Sequence, residues 1–137
     1  MKGLDSNVLL RYILEDDPVW TKPATRFIDV ECTRDNPGYI NFIVLAEVVW
    51  TLRRQPHIDR DRLSVIIGEL LEADNFQFEN EDIVKAALKR FLKYPAGLTD
   101  CLIAEINAAA EVEATYSIDK DGARSDIFRP IPKVVMS

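Results

Sequence analysis

Along this chain, short β-prone runs alternate with longer stretches whose apolar residues recur at helical spacing, the pattern of an α/β domain with a mainly parallel sheet. Residues 2–5 read as a short first strand, and Ser6 or Asn7 as the cap of a helix reaching about Glu15, where Asp16-Asp17-Pro18 breaks it. A second helix is expected over 21–34, with Pro23 in its first turn and Asn36-Pro37-Gly38 as its stop. Residues 39–42 read as the second strand. Trp20, beside Pro18 and Pro23, has two readings, a contact surface and, preferred, packing on its own helix.

Residues 43–54 are mostly apolar, which predicts a helix buried around most of its circumference, with Glu47, Thr51 and Arg54 as one narrow polar stripe. Asp59 starts another helix, carrying Leu63, Ile66, Ile67, Leu70 and Leu71 at helical spacing to about Asp74-Asn75. A brief strand over 76–78 follows. The next helix starts at Asn80 or Glu81, turns Ile83, Ala87, Leu88, Phe91 and Leu92 inward, and stops at Pro95-Ala96-Gly97. An alanine-rich, central helix is expected over 99–111, then a strand over 114–118, a turn at Asp119-Lys120-Asp121-Gly122 and a short helical piece before Ile127. Pro130 and Pro132 bracket a last extended segment to Val135, suited to a sheet edge because proline donates no ladder hydrogen bond. With no linker and no repeat, the 137 residues are expected to form a single domain.

Composition sharpens this picture by exclusion. The 17 Lys and Arg against 23 Asp and Glu leave a net charge of −6, which excludes a simple polycationic nucleic-acid binder but not a nucleic-acid enzyme with a carboxylate metal site. The longest uncharged stretch, 36–46, has eleven residues, whereas a membrane span needs roughly 20. The N-terminus reaches Asp5 without the continuous apolar run of a signal peptide, so a cytoplasmic protein is expected. Cys32 and Cys101 form no CxxC pair and read as reduced thiols, and the one histidine, His57, falls in a loop. Five scattered glycines make neither a GxGxxG nor a GxxxxGK[ST] loop. Carboxylate is the chemistry that remains.

Four acids occupy suggestive positions. Asp5 and Asp119 follow β-prone runs, and functional groups in open α/β sheets collect at the carboxyl ends of strands. Asp100 opens a helix after the Pro-Ala-Gly break, and Glu47 interrupts an apolar helix. If the first and fourth strands are parallel neighbours, Asp5 and Asp119 share one rim. Each acid also has an ordinary structural reading: Asp5 as a cap, Asp100 as a favourable charge at a helix N-terminus, Glu47 as part of a solvent stripe and Asp119 as a turn former.

In combination, the segments resemble PIN-domain ribonucleases of the VapC toxin type over nearly the whole chain. Leu4-Asp5-Ser6-Asn7-Val8-Leu9-Leu10-Arg11-Tyr12 is similar to that family's strand-end aspartate followed by a hydroxyl residue and Asn. Val44-Leu45-Ala46-Glu47-Val48-Val49-Trp50-Thr51-Leu52-Arg53 is similar to its glutamate-bearing helix. Leu98-Thr99-Asp100-Cys101-Leu102-Ile103-Ala104 resembles the DxxIA segment, and Ser117-Ile118-Asp119-Lys120-Asp121 the terminal TxDxD-like signature. The chain departs from the pattern with serine at Ser6 and Ser117 where threonine is common, and with Gly97 where many relatives carry another acid. Asp121 competes with Asp119, which is preferred because it directly follows the β-prone run.

The resemblance implies a three-layer α/β/α sandwich over 1–137 and a metal-dependent endoribonuclease in which Asp5, Glu47, Asp100 and Asp119 surround one or two Mg²⁺ or Mn²⁺ ions. Like charges about 5 Å apart at an effective dielectric near 20 repel by about 3 kcal/mol per pair, so such a cluster needs a cation or protons. Ser6, Asn7 and Ser117 are candidates to hydrogen-bond the carboxylates, and Arg11, Arg53, Arg54, Lys120 and Arg124 to meet RNA phosphates. The resemblance further implies a homodimer, a small VapB-type antitoxin protein as partner, and a toxin role. Two other readings are a non-catalytic PIN-like interaction domain and a phosphatase of the haloacid dehalogenase type, whose DxD start would need an acid where Asn7 stands.

Overall fold

The computed structural model describes residues 1–118 and 126–132. The first strand, β1 (Lys2–Gly3), leads into α1 (Ser6–Leu14), and the residue that caps α1 is Asp5, not Ser6 or Asn7. Its extended backbone aims the carboxylate at the opening turn, where it accepts from the Ser6 N–H at 2.9 Å. Glu15, at φ 54°, ends α1 in the left-handed conformation just before Asp16-Asp17-Pro18, as that stop signal predicts.

The second helix, α2 (Thr21–Arg26), is shorter than expected and passes into a wide π-helical turn, Phe27–Glu31. Beyond it Thr33 and Asn36 take each other's backbone: Thr33 N–H donates to Asn36 O and Asn36 N–H to Thr33 Oγ1, both at 3.1 Å. Those local bonds replace the ones a helix to Arg34 would need. Trp20 precedes the first turn of α2 and is 62% exposed, so it does not pack into its own helix as expected.

A parallel three-stranded sheet runs β1, β2 (Gly38–Ile40), β3 (Phe76–Phe78), with Lys2 opposite Gly38 and Gly38 opposite Phe76. Gly38 is dictated by crowding. A Cβ there would lie 2.7 Å from Leu4 Cδ1 and 3.2 Å from Cys32 Sγ. Between β2 and β3 come α3 (Phe42–Arg53) and α4 (Arg60–Glu72), capped by Asn41 and Asp59, whose side chains each accept at 2.8 Å from the N–H three residues on. Leu9, Ile28, Ile40, Leu45, Val49, Leu52, Leu63 and Ile67 are fully buried, so this core is aliphatic.

The polar stripe expected on α3 is broader and less polar than its sequence suggests. Val44, Leu45, Val48, Val49 and Leu52 are buried, while Ile43 and Trp50 stand exposed with Glu47, Arg53 and Arg54. An apolar run marks no face, so only the fold decides which of its residues meet water.

The chain divides into two compact units, Met1–Glu81 and Asp82–Ser137. The second holds nearly all of α5 (Glu81–Lys93), then α6 (Leu98–Ala109), β4 (Tyr116–Ser117) and β5 (Arg129–Pro130). Val84, Ala87 and Phe91 are buried on α5, while Ile83 and Leu88 are half-buried and Leu92 is exposed, contrary to expectation. Arg90 Nη2 meets Glu105 Oε1 at 2.8 Å, tying α5 to α6. The last turn of α6 is exposed at Ala108 and Ala109 and the helix stops before Glu111, which adopts φ 64°, so its central character is confined to Leu98, Cys101, Leu102 and Ala104.

β4 pairs in parallel with β5, and β1 with β2, so the pairing of β1 with β4 that was to put Asp5 and Asp119 on one rim is not among the described ladders. Arg129 and Ile131 donate to Thr115 and Ser117 on either side of Pro130, whose missing N–H therefore leaves no gap. The expected turn at 119–122, the helical piece before Ile127 and the end of the last segment at Val135 lie outside the described residues. Among those described, no helix is long and apolar enough to cross a membrane.

Candidate functional site

Asp5 stands where chain direction changes from strand to helix. One carboxylate oxygen is held by the Ser6 N–H, and the side chain is exposed, with no ion pair among the described residues. Ser6 is the reverse case: only 8% exposed, with a hydroxyl that makes no hydrogen bond among them. A buried hydroxyl without a protein partner is uncommon. Asn7 follows, exposed in the first turn of α1.

Glu47 is exposed midway along α3 and its carboxylate makes no hydrogen bond or ion pair among the described residues. Asp100 is half-buried in the first turn of α6, where the helix N-terminus favours negative charge. Ser117 is half-buried in β4, its carbonyl accepting from Ile131 N–H at 3.0 Å. Asp119 lies outside the described residues, as do Lys120, Asp121 and Arg124.

The candidate cations divide. Arg11 is engaged by Asp16 at 3.4 Å and Asp17 at 3.7 Å, so part of its charge is already answered. Arg54 lies over the Trp50 ring, 4.5 Å from its centroid, which flattens it against α3. Arg53 is exposed at the end of α3.

Asp5 and Glu47 offer hard oxygen donors, and the unpartnered Ser6 hydroxyl beside Asp5 is suited to hold a carboxylate in place, so by donor chemistry these residues fit a divalent cation such as Mg²⁺ or Mn²⁺. Among the described residues, no three His, Cys, Asp or Glu side chains gather into a group that would hold a metal ion. Cys32 and Cys101 are buried and not joined in a disulfide, and burial raises the Cys32 thiol above its ordinary pKa. His57 is exposed in its loop.

The PIN domain family model matches residues 3–125, which covers most of each compact unit and contains all four candidate acids. The chain belongs to the PIN domain family, an α/β fold with a parallel central sheet whose members are generally metal-dependent nucleases. No curated protein and no solved structure matches it. Family membership leaves the haloacid dehalogenase alternative without support.

Proposed function

We propose that this protein is a metal-dependent endoribonuclease that hydrolyses RNA phosphodiester bonds, and that it serves as the toxin of a type II toxin–antitoxin pair. The observation that carries the reading is the family match over 3–125, a span that contains Asp5, Glu47, Asp100 and Asp119. Those four would hold Mg²⁺ or Mn²⁺, in one or two ions per site. When bound, such a cation supplies positive charge to a phosphodiester and makes a nearby water a stronger acid.

The protein's own part is positioning. Asp5 keeps one oxygen on the Ser6 N–H and so presents the other in a fixed direction. Ser6, Asn7 and Ser117 hydrogen-bond carboxylates or water, Glu47 orients the attacking water, Lys120 and Arg124 are phosphate contacts, and Arg53 meets phosphates more readily than Arg11 or Arg54, whose charges are partly engaged within the described structure. A single domain working as a cytoplasmic homodimer, held in check by a small VapB-type antitoxin, completes the proposal.

One observation favours a second reading, a non-catalytic PIN-like interaction domain: Asp5 caps α1, which is reason enough for an acid there. The two separate cleanly. The nuclease cuts structured RNA with Mg²⁺ or Mn²⁺, stops in EDTA, and on induced expression leaves discrete RNA fragments that Asp5→Asn does not. The interaction domain binds no divalent metal saturably by calorimetry and does not impair growth.

A further inference from the structure

In the first unit a recess of about 640 Å³ opens between α1 and α2, within the roughly 300–1,000 Å³ typical of ligand pockets. Asn7 and Arg11 line it from α1, Asp17, which faces Arg11, from the connection, and Trp20, Pro23 and Phe27 from the opposite wall. The walls are apolar and aromatic, yet Trp20 is 62% exposed at their edge. Its backbone is pinned. Asp17 Oδ1 accepts from the N–H groups of Val19 at 2.9 Å and Trp20 at 2.7 Å, and Thr21 Oγ1 accepts from Asp17 N–H at 3.0 Å. An indole on a hydrogen-bonded backbone, facing solvent at the edge of an apolar recess, is suited to a contact surface.

Charge tells what that half carries. On α2, Lys22 and Arg26 are exposed and have no ion pair among the described residues, although the chain as a whole carries a charge of −6. Arg26 follows Pro23 by three residues and Lys22 by four, so the two cations share a face of α2 that adjoins Pro23, outside the lining of the recess. The recess also begins at Asn7, two residues beyond Asp5. An occupant with a flat apolar face, hydrogen-bonding edges and negative charge matches all of these features at once.

We infer that the α1–α2 recess is a base-stacking subsite that takes one unpaired nucleobase of the RNA substrate beside the cleaved bond. The base stacks on Trp20, its edge meets Asn7 and Arg11, and flanking phosphates meet Lys22 and Arg26. The subsite rests on the endoribonuclease reading and deepens it, because it makes single-stranded character next to the cut a requirement.

The test uses the full chain with Trp50→Phe, which leaves Trp20 as the remaining indole, and a single-stranded RNA nonamer containing all four bases. The nonamer is expected to quench Trp20 emission in EDTA. In cleavage assays with Mg²⁺, Trp20→Ala is expected to raise KM about five- to 100-fold, the loss of one base–aromatic stack, with kcat nearly unchanged, and Trp20→Phe to recover most of it. Lys22→Gln with Arg26→Gln should flatten the salt dependence of KM. An unchanged KM in Trp20→Ala overturns the subsite. An unchanged KM accompanied by loss of a co-purifying protein assigns the recess to a protein segment and overturns it equally. If the wild type does not cleave, the nuclease reading fails on its own, and quenching then decides the subsite: present, it stands as an RNA contact, and absent, it falls too.

Discussion

Asp5 and Asp100 each stand at the start of a helix, one in each compact unit, and the two starts are built differently. Asp5 is itself the cap of α1, and one of its oxygens holds the Ser6 N–H. The cap of α6 is Gly97, which has no side chain to offer, and Asp100 sits inside the first turn, where it complements the helix dipole. The first acid is therefore shared between fold and proposed chemistry, whereas in the second unit the cap and the acid are separate residues. Substitutions can pull these contributions apart.

The comparison presupposes two intact cores, and breaking either is the largest effect expected. Ile67→Ala empties a fully buried position in the first unit and should cost about 2–5 kcal/mol, and Phe91→Ala in the second about 3–5 kcal/mol. Urea midpoints measure both. An Ile67→Ala protein as stable as the wild type would show that the aliphatic core around α4 is wrongly placed.

Next come the acids as chemistry. Asp5→Asn and Asp100→Asn are each expected to lower metal-dependent RNA cleavage by about 100-fold or more, since each removes a charge from the proposed metal site. Asparagine caps a helix as well as aspartate does, so Asp5→Asn should keep the wild-type Tm. Full cleavage by either variant would remove that residue from the site and leave it a helix-start residue only.

Alanine sharpens the contrast further. Asp5→Ala loses the cap as well as the charge and should destabilise by about 1 kcal/mol, a drop of a few degrees in Tm. Asp100→Ala forfeits the dipole term, about 0.3–1 kcal/mol, and should fall less. Equal losses in thermal melts would mean that Asp100 also closes its helix end.

What the sequence made legible follows from how local each cause is. Asp59 and the Glu15 stop could be read directly because a cap or a left-handed residue acts within one turn, and β3 fell on its expected residues because flanking helices bound it on both sides. Trp20 was misjudged because its surroundings depend on how far α1 stands from α2, which no single-chain spacing records. Ile43 and Trp50 were misjudged because an apolar run such as that of α3 carries no mark of its outward face. The acids were found as motifs in order along the chain, but whether carboxylates far apart in sequence converge is a tertiary matter that periodicity does not reach. Asp16 and Asp17, five and six residues on from Arg11, are brought back against it by the end of α1, which the helical spacing of α1 does not show.

Asp17 supplies the smallest effect and the cleanest control, because it is an acid that shapes a helix start and lies outside the proposed set of metal-holding acids. Hydrogen bonds from the Trp20 and Val19 N–H groups, with a lesser contribution from Arg11, hold its carboxyl below the ordinary carboxylate value. A depressed folded-state pKa stabilises the fold above the unfolded-state value, about 3.9, and that contribution is lost as pH falls through the folded value. The turn that presents Trp20 should therefore hold unchanged from neutrality to about pH 4 and loosen below it. Trp20 emission in the Trp50→Phe protein reports this directly. Asp17→Asn keeps an acceptor oxygen but has no proton to gain, so its emission should stay flat across the same range. A transition of the same size in Asp17→Asn would mean that some other carboxyl governs the turn, and that the pinning of Trp20 does not depend on the charge at Asp17.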